Sequence, residues 1–239
     1  MVLIIHHKFL IFQKRKTLPF KINNRELVPS RVFCVGKNYN EHIKELGGSY
    51  LPNEPVVFMK PVSSLVAPEE TLFYPPYGDN LQHEVEAVIL IGKEGRSIPE
   101  KNAPSFVAGV SIGLDLTLRD VQLKLKEKGL PWELSKSFEQ SSPLGSFKPY
   151  NPNSIELEDW PFSCSVDGVV RQQGNTQDMI FPIKKLIHKL SIWWELKPGD
   201  IIYTGTPSGV GPLKVGNQVK IESVKIGSFS WNIAPRKNN

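Results

Sequence analysis

The sequence predicts an α+β chain that is mostly β, built on a mixed sheet or barrel with a few short helices. Three observations carry this. Apolar runs are short and are repeatedly cut by turns, in a chain of 239 residues with 20 Pro and 18 Gly. A clear 3.6-residue apolar period occurs in one long stretch, Ile183 to Trp194. No linker rich in Ser, Gly or charge breaks residues 30–235, and no internal repeat stands out. A single domain over 29–235 is therefore expected, after a basic extension over 1–28.

In chain order, Val32–Val35 reads as a strand ending at Gly36, and Asn40 to Leu46 as a short helix closed by Gly47-Gly48. Val56–Met59 is a strand stopped by Pro61. Val85–Ile91 and Phe106–Leu114 are the strongest strand candidates, and Leu116 to Lys128 has helical character with Gly129 as its stop. Phe162 to Val170 reads as a hairpin turning at Asp167-Gly168. Ile183 to Trp194 carries Ile183, Leu186, Ile187, Leu190 and Trp194 on one helical face. Pro198-Gly199-Asp200 leads into the strand Ile201–Thr204, and Val215 to Val224 is a further strand after a Gly-rich turn.

Composition narrows the function. The formal net charge is +5, yet residues 1–31 alone carry Lys8, Lys14, Arg15, Lys16, Lys21, Arg25 and Arg31 against Glu26, leaving the body slightly acidic. A nucleic-acid footprint should line a face of the fold, so nucleic acid is not an expected partner. No apolar stretch reaches the roughly 20 residues of a membrane span. The N-terminal order of short apolar run and then charge is the reverse of a secretory signal. Cys34 and Cys164 form no CxxC and sit among apolar residues, which suits buried thiols in a reducing compartment. A cytoplasmic location is expected, or a mitochondrial one in a eukaryotic source.

Four segments carry chemistry. Glu84 and Glu86 alternate along an extended run, so they share one face, and two close carboxylates repel unless a proton or cation joins them. Asp115, at the end of the next apolar run, supplies a third oxygen. Such ligands suit Mg²⁺, Mn²⁺ or Ca²⁺, whereas alone the pair also reads as the solvent face of an amphipathic strand. His42 and Glu45 are three apart on one helical face. A carboxylate beside an imidazole fixes its tautomer and prepares it to deprotonate water, although the same spacing also makes a plain surface ion pair. Lys136, after Gly129-Leu130-Pro131-Trp132, is either an exposed lysine or a cation for an anionic substrate or developing enolate. Thr204-Gly205-Thr206-Pro207-Ser208-Gly209 is a backbone anion nest or a simple tight turn. Gly109-Val110-Ser111-Ile112-Gly113 matches the serine-hydrolase G-x-S-x-G, but Val110 and Ile112 flank the Ser as in a continuing strand, not an elbow.

Together the blocks Gly36-Lys37-Asn38-Tyr39 with His42, Phe58-Met59-Lys60-Pro61, His83-Glu84-Val85-Glu86, Leu114-Asp115-Leu116-Thr117-Leu118-Arg119-Asp120-Val121-Gln122, Gly129-Leu130-Pro131-Trp132-Glu133 with Lys136-Ser137-Phe138, Arg171 to Thr176, and Gly199-Asp200 with Thr204-Gly205-Thr206-Pro207 resemble the fumarylacetoacetate hydrolase family. The likeness is to its small single-domain acylpyruvase and oxaloacetate decarboxylase branch, over roughly residues 30–234. It implies the mixed β-roll of the family's C-terminal domain and a Mg²⁺ or Mn²⁺ site on Glu84, Glu86 and Asp115. It further implies a lid pair of His42 and Glu45, an active-site Lys136, and substrate contacts from Arg119, Gln122 and Thr206. A homodimer acting on a small 2-oxo dicarbonyl acid is implied as well. The activity would be cleavage of a C–C bond through a pyruvate enolate that the metal stabilises, as acylpyruvate hydrolysis or oxaloacetate decarboxylation. Oxaloacetate keto–enol tautomerisation on the same site is the alternative. Two features depart from the pattern: the N-terminal arm, and Asn217 after Gly216 where Gly-Asp is usual. An oxygen-only triad leaves His83 without an assigned role.

Overall fold

The computed structural model describes residues 19–45, 47 and 53–236. Most of the expected basic extension, together with Leu46 and Gly48, lies outside the described residues. A mixed six-stranded sheet runs in the order 148–149, 107–114, 85–91, 201–203, 32–36, 56–60. Its pairings are antiparallel except for Ile201–Tyr203 on Val32–Gly36, which is parallel. A five-stranded sheet runs in the order 169–175, 161–166, 218–223, 227–234, 72–73. The main core joins the two sheets: Val85, Ala87, Ile89 and Ile91 from the first meet Phe162, Cys164, Val219, Ile221 and Trp231 from the second. This is the mostly β, mixed-sheet architecture expected.

The strand Val85–Ile91 is buried at every position, which explains why it is apolar throughout except at Glu86. Its other face sends Val88 and Leu90 into a second core with Cys34, Ile201 and Tyr203. That second core also takes Ile22 and Leu27 from a small hairpin, Phe20–Ile22 with Arg25–Leu27. The helix Ile183–Trp193 buries Ile183, Leu186, Ile187 and Leu190, as its period predicts. Asp167 (φ 50°) and Gly168 (φ 77°) form the two-residue turn of the hairpin Pro161–Val166/Val169–Asn175; both left-handed, they match a type I′ turn.

Several boundaries differ from expectation. The helix expected from Leu116 begins at Arg119, because Thr117 and Leu118 pair with Gln82 and Leu81 as a short strand. The strand expected from Phe106 begins at Val107, after a 3₁₀ segment Glu100–Phe106. The strand expected over 215–224 is Gln218–Ser223, since Gly216 (φ 93°) and Asn217, which accepts from Lys214 N, make a turn instead. The strand Gly227–Ala234 is not among the expected elements, although Phe229, Trp231 and Ile233 alternate with Ser228, Ser230 and Asn232 as in a half-buried strand; it pairs antiparallel with Gln218–Ser223.

Candidate metal centre and catalytic cleft

The antiparallel pairing of Val85–Ile91 with Val107–Leu114 sets Val85 opposite Leu114. Glu84 and Asp115 thereby stand level at the open end of the pair, where Asp115 N donates to Glu84 O at 2.9 Å. Glu86 points to the same side one pleat further in. Ligand oxygens from Glu84, Glu86 and Asp115 lie within 4.8 Å of one another. The three residues are 5%, 1% and 1% exposed, which rules out the reading of a solvent-facing pair.

Buried carboxylates need partners. Lys136, itself buried, donates to Glu84 Oε2 and to Asp115 Oδ2, each at 2.8 Å. Arg119 contacts Glu84 Oε1 through Nη2, and donates to Gln82 Oε1 (2.9 Å) and Gln122 Oε1 (2.5 Å). Lys60 Nζ sits 2.7 Å from Asp115 Oδ1 but aims its hydrogen bonds at the carbonyls of Leu116 (3.0 Å) and Ser141 (2.7 Å). Asp115 Oδ1 accordingly has an ion-pair neighbour but no aligned hydrogen bond. Glu86 receives a single backbone donor, Gly205 N at 2.7 Å, and no cation among the described residues.

The titrations follow from this asymmetry. Burial pushes the Glu84 carboxyl up, but Lys136 and Arg119 outweigh it and hold the group well below the usual carboxylate range. Burial and the Asp115 carboxylate push Glu86 well above that range, against the opposing pull of the Gly205 N–H. Lys136 is raised: its burial is outweighed by Asp115 and Glu84. Burial lowers Lys60 despite Asp115. The donor set is three hard oxygens, one on a carboxyl lacking any cation and one without a hydrogen bond. That set fits a divalent cation of the Mg²⁺, Mn²⁺ or Ca²⁺ kind.

His42 lies on the helix Asn40–Glu45 and lines the same cleft, with Nδ1 3.0 Å from Glu45 Oε2. A carboxylate only accepts, so Nδ1 carries the proton and Nε2 is left as the acceptor. Glu45 is fixed from behind by Gly209 N at 2.9 Å. The Thr204–Gly209 turn is not an open anion nest. Its N–H groups at Gly205 and Gly209 serve Glu86 and Glu45, while the Thr204 and Thr206 hydroxyls donate to Ala87 O (2.8 Å) and Val85 O (2.9 Å). Gly205 (φ 103°) is obligatory there: a Cβ would stand 2.6 Å from Asn38 Cβ.

Arg119, Gln122 and Thr206 all line the cleft beside the triad, so every expected site residue except Glu45 borders it directly. The exposed alternative for Lys136 does not hold. His83 does not face the triad: its Nδ1 is 2.8 Å from Gln172 Oε1, which also accepts from Val85 N, and burial lowers its pKa. Gln172 in turn donates to Thr206 Oγ1 (2.8 Å) and Pro207 O (2.9 Å), tying the second sheet to the site. Sequence reading assigned no role to Lys60, Gln172 or Lys126. A lysine ending an apolar strand before Pro61 is a signal for Lys60; Gln172 sits in the mostly exposed strand Val169–Asn175 and offers none. Ser111 lies inside the strand Val107–Leu114 and donates to Gly145 O at 2.8 Å, so no nucleophile elbow exists. A roomier cleft of about 280 Å³, lined by Phe20, Val62, Leu65 and Leu144, holds no cluster of titratable groups.

The family described as fumarylacetoacetate (FAA) hydrolase C-terminal matches residues 31–234. An oxaloacetate tautomerase of Escherichia coli is 45% identical over 192 residues, covering 80% of this chain and 87% of that protein. A mitochondrial oxaloacetate decarboxylase of Dictyostelium discoideum is 41% identical over 215 residues, covering 87% and 96%. Among solved structures, a fumarylpyruvate hydrolase from Pseudomonas aeruginosa, crystallised with Mn²⁺ and pyruvate, superposes with a TM-score of 0.87 at 33% identity, covering 95% and 99%.

Proposed function

The chain belongs to the fumarylacetoacetate hydrolase family, and from that premise we propose that it is a divalent-metal-dependent enzyme that cleaves a C–C bond of β-dicarbonyl acids through a pyruvate enolate. Acylpyruvate hydrolysis and oxaloacetate decarboxylation are the two forms of this reaction. The carrying observation is the buried Glu84–Glu86–Asp115 cluster with Lys136 bridging two of its members. Mg²⁺ is the proposed ion, with Mn²⁺ as its substitute. The bound ion would supply Lewis-acid stabilisation of negative charge developing on the 2-oxo acid.

The chain's own residues would do the rest. Lys136 and Arg119 hold substrate carboxylate and enolate oxygens, with Gln122 fixing the Arg119 fork and Thr206 holding the floor of the cleft. For an acylpyruvate, His42 Nε2 takes a proton from water while Glu45 steadies the imidazole; the hydroxide attacks the distal carbonyl, the C3–C4 bond breaks, and the proton returns to C3 of the enolate. For oxaloacetate the leaving fragment is CO₂ and no water is consumed. Keto–enol tautomerisation of oxaloacetate is the second reading. It is favoured by the 45% identical tautomerase, and would pass through the enolate of intact oxaloacetate by proton transfer at C3 and the 2-oxo oxygen, with no C–C bond broken.

Residues 29–235 would act as a single catalytic unit, in a homodimer, in the cytoplasm or in the mitochondrion of a eukaryotic source. The two described cysteines are free and buried, and no described helix is long and apolar enough to cross a membrane. The deciding experiment is a substrate panel of acetylpyruvate, oxaloacetate and enol-oxaloacetate, run after chelation and again after Mg²⁺ addition. Metal-dependent turnover of at least one is expected; none with any of the three would defeat the proposal.

A further inference from the structure

We propose that Lys126, seated against Trp132 at the mouth of the cleft, is a specificity-determining residue that binds a second carboxylate at the far end of the substrate and so sets the preference for substrates with a distal carboxylate over those with an uncharged acyl tail. This rests on the functional reading above and narrows its substrate class. Arg119, Gln122 and Lys126 lie at i, i+3 and i+7 of the helix Arg119–Glu127, which puts them on one face. Arg119 and Gln122 are buried and Lys126 is half-buried, so the row climbs from the carboxylate cluster outward. Lys126 Cα stands about 10 Å along the axis from Arg119. Its side chain leans back toward the helix N-terminus, as helical side chains do, and so reaches over the cleft it lines.

The cations at the carboxylate cluster are matched: Arg119 to Glu84, Lys136 to Glu84 and Asp115, and Lys60 to Asp115. Lys126 has no carboxylate within ion-pair distance among the described residues. Its ammonium stands 5.0 Å from the centroid of the Trp132 ring, which is in edge contact with Phe58 at 5.9 Å. Burial, with Arg119 and Lys37 next in weight, lowers its pKa to about 8. A half-desolvated cation kept among like charges is an unfavourable arrangement for a free protein. It becomes favourable when a ligand brings an anion. An uncharged acyl tail would leave this repulsion in place, whereas a terminal carboxylate would relieve it and gain a charge-assisted hydrogen bond. Lys37 also lines the cleft, from a left-handed backbone position (φ 58°), and adds to the same positive field.

The test uses the full Mn²⁺-loaded chain, Lys126→Gln and Lys126→Arg. Substrates are oxaloacetate, which has a distal carboxylate, and acetylpyruvate, which lacks one; oxalate serves as an inhibitor that fills only the metal end. Lys126→Gln should lower kcat/KM for oxaloacetate by roughly tenfold or more, chiefly through KM, given the usual strength of a hydrogen bond to a charged group. It should leave acetylpyruvate within about twofold and the oxalate inhibition constant unchanged, while Lys126→Arg retains most of the oxaloacetate preference. Equal losses on both substrates, or no loss on oxaloacetate, would overturn the inference and leave the broader function standing. If no substrate turns over, the functional reading fails. Calorimetric affinity for 2-oxoglutarate against oxalate then decides this inference alone, since a distal-carboxylate affinity indifferent to Lys126→Gln overturns it.

Discussion

Glu84, Glu86 and Asp115 are alike in type and burial yet differ in partner, and that difference sets their chemistry. Glu84 is already ionised by Lys136 and Arg119, so its contribution to stability is present above the ordinary carboxylate range and is lost as pH falls. Glu86 is the opposite case. Raised by burial and by Asp115, it favours the protonated folded state, so its contribution is fully present below the ordinary carboxylate range and is lost as pH rises. A cation at the triad must displace that proton. Mn²⁺ affinity should therefore rise with pH, with proton release on binding; calorimetry in two buffers of different ionisation enthalpy measures it, and proton-free binding would contradict the account of Glu86. Glu84→Gln or Asp115→Asn should weaken the metal by about 100-fold or more and remove activity with it, as followed by Mn²⁺ paramagnetic resonance. His42→Ala should keep the metal and lose acylpyruvate hydrolysis by roughly 10²–10⁴-fold, the usual worth of a general base. Full retained hydrolysis would take the water-activating role away from His42.

At the scale of elements, the site is held by a turn and a strand pair that each serve two functions. The Thr204–Gly209 turn spends its amides on Glu86 and Glu45 and its hydroxyls on the strand Val85–Ile91. It thus connects the carboxylate cluster to the imidazole support. Gly205→Ala would force a Cβ to 2.6 Å from Asn38 Cβ in a left-handed backbone. The expected result is a loss of about 1–3 kcal/mol in stability, with weaker metal binding as the Glu86 donor shifts. Chemical denaturation with and without Mn²⁺ separates the two effects, and an unchanged metal affinity would show that this donor does not orient Glu86. The helix Arg119–Glu127 shows why an element can be right in kind and wrong in start. Its sequence is helical from Leu116, but Thr117 and Leu118 are held by backbone pairing to Gln82 and Leu81, and that pairing delivers Arg119 to Glu84.

For the whole molecule, the two sheets meet over Val85, Ala87, Ile89 and Ile91, on the face of the strand opposite Glu86. Ile89→Ala should cost about 2–5 kcal/mol in unfolding free energy while leaving kcat and metal affinity of the folded fraction unchanged; a parallel loss of metal binding would mean that core and site are coupled. Much of this organisation is legible in the chain. The apolar run Ala87–Ile91 behind Glu86, the period of Ile183–Trp193, the Asp167-Gly168 turn and the H-x-x-E spacing at His42 are local patterns, and local sterics and burial are what sequence pattern records. The ordered blocks also carried the three clustered carboxylates and Lys136. By itself, then, the sequence determined the fold class, the family likeness and the three carboxylates proposed as oxygen donors, because those depend on residue type and period. Tertiary structure alone decided that Glu84 and Asp115 stand level, that Lys60 and Gln172 support them, and that Lys126 lacks a carboxylate partner among the described residues. These facts depend on strand register and on contacts between residues far apart in the chain, and no local pattern encodes the distance between two side chains that only folding brings together.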